Sequence, residues 1–169
     1  MKKVLAFSSR NFKELLRDPL SYIFCLGFPL VMLAIMSVIN KSIPPEANMT
    51  LFRIENLAGG IAVFGLSFVM LFTTLTVSKD RSGAFLVRLY ATPMNSADFI
   101  AGYALPCLLL AVLQSVFSFA ASLVVAAISG SDALTVGGSL LAVLTLIPGA
   151  VFFLSLIHIS EPTRPEPIS

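Results

Sequence analysis

FIAGYALPCLLLAVLQSVFSFAASLVVAAI, from Phe99 to Ile128, contains no Asp, Glu, Lys, Arg or His. A transmembrane helix needs roughly 20 mostly apolar residues to cross about 30 Å of hydrocarbon, and this run satisfies that with residues to spare. Three more stretches read the same way: Leu20 to Ile39, Leu57 to Val77 and about Val136 to Leu156. None has an Asp, Glu, Lys, Arg or His between its ends. The chain is 57% hydrophobic and only 12% charged, with a mean hydropathy of +0.93. A soluble domain usually carries about 25% charged residues, so the runs dominate the composition. Closed barrels are the other way across a bilayer, but their strands alternate in short segments. These long continuous runs therefore predict an all-α, polytopic membrane protein with four transmembrane helices.

The basic residues set the expected orientation. Lys2, Lys3, Arg10, Lys13 and Arg17 precede the first run, and Lys79, Arg81 and Arg88 lie between the second and third. The other two connections hold Lys41 and Arg53 in one case and no basic residue from Ser129 to Thr135 in the other. The positive-inside rule puts the N-terminus and the segment after Ser78 in the cytoplasm.

Residues 1–18 do not read as a signal peptide, because Arg10, Lys13, Glu14 and Arg17 interrupt any apolar centre. At about 100° per residue, Val4, Leu5, Phe12, Leu15 and Leu16 fall on one side of a helix and the basic residues on the other, with Phe7 out of place. That pattern predicts an interfacial helix, or more simply a positive flank that sets topology. Asp18-Pro19 ends it.

Within the spans, Pro29, Pro106 and Pro148 are expected to bend or open their helices, with neighbours satisfying the freed carbonyls. Ala58 with Ala62, and Ser118 with Ser122, offer small faces for close packing. Gln114 is the most polar residue deep in a span, a candidate for an interhelical hydrogen bond or for the substrate path. Cys25 and Cys107 both fall in spans, which argues against a disulfide framework. Asn48-Met49-Thr50 fits the glycosylation pattern, a short and common one.

Spans without ionisable groups argue against coupling to protons. The chain also has no phosphate-binding loop, no metal-ligand cluster and no nucleophile–base pair. No catalytic residue and no metal site are expected, and any use of ATP would need a separate ATPase subunit.

The charged stretch Ser78 to Pro93 is where such a subunit would meet the membrane part. Phe85, Leu86, Leu89 and Tyr90 form one face of a short helix flanked by Arg81 and Arg88, with Gly83 before it and Thr92-Pro93 closing it. Asn95-Ser96-Ala97-Asp98 offers caps for the next helix. On the residues alone, a docking helix for a cytosolic partner and an amphipathic loop lying on lipid both remain open.

Asp80-Arg81-x-Gly83 followed by Arg88-Leu89-Tyr90-Ala91-Thr92-Pro93, between the second and third spans, resembles the cytoplasmic loop of ABC-2 type transporter permeases. The interfacial helix leaving through Arg17-Asp18-Pro19 is also similar to that family's N-terminal segment. The likeness covers Met1 to about Leu154. It implies a membrane-spanning permease subunit of an ATP-driven exporter in the bacterial inner membrane, itself not an enzyme, with its N-terminus cytoplasmic. The implied cargo is amphipathic or hydrophobic: a drug, a lipid-like molecule or a glycan carrier. The implied partners are a cytosolic ATPase that holds ATP and Mg, a second permease half and membrane lipid, with no nucleic acid. This chain itself would bind no cofactor. The resemblance carries over Asp80, Gly83, Arg88, Leu89, Thr92 and Pro93 as coupling residues; Arg81, Phe85 and Leu86 join them from the helix face described above, and Gln114 stays a candidate for the substrate path from its place in the span. The alternative is a non-transporting scaffold or channel-like subunit that anchors a cytosolic partner.

Family members usually have six spans, so four imply a partial permease. The segment 155–169 breaks the pattern: Pro162, Pro165 and Pro167 exclude a helix there, and the segment resembles translated sequencing adaptor at the end of a truncated assembled sequence. The expected organisation is an interfacial helix at 1–18, a transmembrane part at 19–154 with a coupling loop at 78–98, and a foreign or disordered tail at 155–169.

Overall fold

Four helices long and apolar enough to cross a membrane, and one shorter N-terminal helix, make up the described chain. The computed structural model describes residues 2–44, 46, 49–83, 85, 92, 94–131 and 134–160. We label the helices α1 (Lys2–Arg17), α2 (Pro19–Ser42), α3 (Ile54–Ser82), α4 (Ser96–Ser129) and α5 (Val136–Ser160). No strand occurs among the described residues.

The local signals act where expected. Asp18 accepts the Leu20 N–H at 3.2 Å and Pro19 opens α2, because proline's missing N–H costs nothing in a first turn. Asn95 and Asp98 form a reciprocal capping box at the start of α4. Gly130 ends α4 in the left-handed conformation, φ 67°, which lacks the usual Cβ penalty in glycine. Pro29 is preceded by a π-turn over Ile23–Gly27, in which the Phe28 N–H reaches the Ile23 carbonyl. The wider turn suits a ring that blocks the ordinary hydrogen bond. Helices α4 and α5 run on through Pro106 and Pro148.

Helix α3 is the most buried of the spans. Its Leu66, Val69 and Met70 pack with Cys107 and Ala111 of α4 and Ala150 and Leu154 of α5. Farther along, Ala58 and Ala62 meet Phe119 and Val143. Ala58, Ala62, Ser118 and Ser122 are all buried, as their small size led us to expect. Between α2 and α3, Phe24, Phe28, Phe64 and Phe68 form an aromatic ladder with ring centroids 5.2–5.5 Å apart. The outward surface is apolar, including Leu105, Leu109, Leu113 and Val124 on α4 and Leu140, Leu141 and Leu144 on α5. Such a surface aggregates in water and is satisfied in lipid.

Two boundaries differ from the sequence reading. Helix α3 continues through Lys79, Asp80, Arg81 and Ser82, so the charged stretch starts as a stiff extension of the span. Its 29 residues make a rod about 43 Å long, longer than the hydrocarbon alone requires. Helix α5 likewise runs to Ser160, beyond the expected limit at Leu154. Pro162, Pro165 and Pro167 lie outside the described residues.

Helix α1 has three sides rather than two. Phe7, Asn11 and Leu15, spaced by four residues, are buried against the bundle. Leu5 is exposed on another side, and Lys3, Lys13 and Arg17 on a third. Phe7, out of place on a two-sided projection, is the residue that docks the helix.

Candidate functional site

Where the ends of α3 and α4 meet α1, Asp80 is 5% exposed and held from two directions. The Arg10 guanidinium grips it with both terminal nitrogens, Nη1 to Oδ2 at 2.6 Å and Nη2 to Oδ1 at 3.0 Å. Tyr103 of α4 donates its hydroxyl to Oδ2 at 2.8 Å. A two-pronged arginine–carboxylate pair fixes orientation as well as charge. Arg10 also donates to Asn11 Oδ1 at 2.8 Å and pairs with Glu14 at 2.7 Å, while Lys79 Nζ lies 3.5 Å from Glu14. The bonds to Asp80 push the Arg10 pKa above its ordinary value, with burial opposing them.

Beneath this polar knot lies an aromatic one. The Phe7 ring meets Tyr103 edge-on at 5.0 Å and Phe99 at 6.2 Å, and stacks with Phe85 at 6.3 Å. It rests on Gly102, where a Cβ would run into the ring. Arg10 lies 4.0 Å over the face of Phe85, a cation–π contact. Asn11 completes the seam by donating from Nδ2 to the Gly102 carbonyl at 3.1 Å. Pro106, four residues on, has no N–H to offer that carbonyl. Asn11 of α1 thus supplies the partner that Pro106 removed from α4.

The candidate coupling residues divide accordingly. Asp80 and Phe85 are brought together, and both face α1. Gly83 caps α3, its N–H bonded to the Lys79 carbonyl at 3.2 Å, with an extended backbone that places no special demand on glycine. Thr92 is exposed. Leu86, Arg88, Leu89 and Pro93 lie outside the described residues, as does the side chain of Arg81. Gln114 belongs elsewhere, deep between α3 and α4. It is 2% exposed and packs over Gly65, and its Nε2 and Oε1 have no hydrogen-bond partner. The interhelical bond expected of it is not made.

Arg10, Asn11 and Tyr103 were not candidates from sequence. Arg10 was grouped with basic residues facing headgroups, and nothing local marks it as different. The one available signal was Phe7, a large apolar residue among cations.

The family model of the ABC-2 type transporter matches residues 2–159. The chain belongs to the ABC-2 type transporter family and is a multi-pass membrane protein, the permease component of an ABC transporter. The family implies association with an ABC ATPase. No curated protein and no solved structure matches the chain.

Proposed function

We propose that this permease receives the motion of a separate cytosolic ATPase through the connection between α3 and α4, and uses it to export an amphipathic or hydrophobic compound. The observation that supports this reading is the Asp80 junction. The helix that leads into the connection ends at Ser82, and two residues before that end it is tied to α1 by Arg10 and to α4 by Tyr103. A displacement of the connection is therefore shared at once by three helices.

In this reading ATP and Mg are bound and hydrolysed by the partner, and two permease halves assemble around the transport path. The N-terminus and the connection face the cytoplasm of a bacterial inner membrane, as the basic residues argue. Arg10 and Asp80 position the connection; Arg88 and Leu89 carry the contact with the ATPase.

The test is the double variant Arg88→Glu, Leu89→Asp in the permease co-expressed with its ATPase. Loss of co-purification and of ATP-dependent transport is expected. Unchanged binding and transport refutes the coupling role. Retained ATPase binding to the unaltered permease, with no nucleotide-dependent transport, favours a scaffold.

A further inference from the structure

A pocket of about 270 Å³ opens between α1, α2, α3 and α4, lined by Leu15, Tyr22, Val69, Phe72, Gln114 and Phe117 among others. It has room for about nine water-sized groups, and its walls are almost wholly apolar. Tyr22, Leu113 and Phe117 on its rim are exposed on the outer side of the four spans, so it opens sideways rather than toward the ends of the bundle. Gln114 stands out among these walls. Its amide is buried with neither atom partnered, which in an apolar interior costs about 1–3 kcal/mol.

Depth narrows what fits. Gln114 lies eleven residues beyond Tyr103 on α4, about 16 Å along the axis, and Tyr103 marks the end of the bundle where α1 lies. Half the hydrocarbon is about 15 Å thick, so Gln114 sits near the bilayer midplane. A phospholipid has only methylenes at that depth and leaves the amide unpartnered. A solute with a hydroxyl, amide or carbonyl set in an apolar frame satisfies it. The terminal torsion of glutamine is soft, so the amide can turn its oxygen or its NH2 toward the pocket it lines.

We propose that this pocket binds a membrane-dissolved amphipathic solute, apolar body against Phe72, Phe117 and Leu15, with one hydrogen-bonding group on Gln114. The site deepens the transport reading by placing the cargo in this pocket and requiring one hydrogen-bonding group on it, and rests on that reading for its role. Its binding needs no ATPase and no turnover, so failure here and failure of coupling are told apart.

The chain has no tryptophan, so Phe117→Trp places a single tryptophan, excited apart from the tyrosines at long wavelength, on the pocket wall. Leu144→Trp, on the exposed side of α5, reports bulk lipid. Both are measured in nanodiscs with dodecanol brominated at mid-chain, with the bromododecane lacking the hydroxyl, and with phosphatidylcholine brominated at mid-chain. Saturable quenching of the Phe117→Trp protein alone is expected, with the alcohol about tenfold tighter than the alkane. Gln114→Leu in that background abolishes the preference, and Leu113→Phe, which narrows the rim, weakens both ligands. Equal quenching at the two tryptophans overturns the proposal. So does a preference that survives Gln114→Leu, or saturation by the brominated phospholipid alone.

Discussion

Cutting the Arg10–Asp80 pair from its two sides is expected to give unequal results. Asp80 is 5% exposed and Arg10 36%. Arg10→Gln strands a nearly buried carboxylate whose remaining hydrogen bond, among the described residues, comes from Tyr103. Stranding a buried charge costs about 3–5 kcal/mol. Asp80→Asn strands a guanidinium that keeps Glu14 and Asn11 and reaches water, and the new amide oxygen still accepts from Tyr103. A hydrogen bond to a charged group contributes about 1.5–3 kcal/mol, and the exposure of Arg10 lowers the loss to about 1–2 kcal/mol. Local opening of α1 therefore rises about 5–30-fold for Asp80→Asn and more than about 100-fold for Arg10→Gln. Phe7 and Asn11 still hold the helix in both. Amide hydrogen exchange over residues 2–17 in nanodiscs reads this opening directly. The double variant strands no charge, so its effect is smaller than the sum of the two. Equal effects within about twofold, or additive ones, would show that the pair does not hold α1, and the reasoning fails.

Other consequences are as direct. Asn11→Ala leaves the Gly102 carbonyl without its partner beside Pro106 and is expected to cost about 1–3 kcal/mol, read as a lower thermal midpoint; Pro106→Ala, which restores a backbone donor, should recover part of it. Gly102→Ala collides with Phe7 and costs about 1–3 kcal/mol, seen as faster exchange in α1, and it adds little when Phe7→Ala has already removed the ring. Gly65→Ala collides with the Gln114 amide and lowers the thermal midpoint unless Gln114→Ala accompanies it. Arg10 has a raised pKa, so its contribution is present below its ordinary value and lost only as pH rises through the raised one. Titration to about pH 10 leaves it charged, and exchange in α1, corrected for intrinsic rates, should show no step from Arg10.

Much of the architecture was legible because each signal is local. The four spans follow from runs without charge, the start of α4 from Asn95 and Asp98, and the first turn of α2 from Asp18-Pro19. The site was less legible. Asp80 was a candidate, but its partner Arg10 is 70 residues away and looked like its basic neighbours. Phe7 appeared as an exception to a two-sided helix because the third side exists only against α4. Gln114 was expected to bond across helices, but it packs over Gly65, which offers its amide no side-chain partner and gives no sign by itself of facing it.

By itself the sequence determined that this is a membrane protein of helical spans, because the bilayer acts as a solvent on each run separately and hydropathy needs no partner. It also determined that the spans lack charges and that charge concentrates before the first span and after the second. Only the tertiary structure decided which charges meet. It put Asp80 of α3 between Arg10 and Tyr103, set Asn11 on the carbonyl that Pro106 left open, and closed Gln114 into an apolar wall without a partner. Those outcomes depend on distances between helices, and no periodicity along one helix encodes the side chain that a neighbouring helix presents.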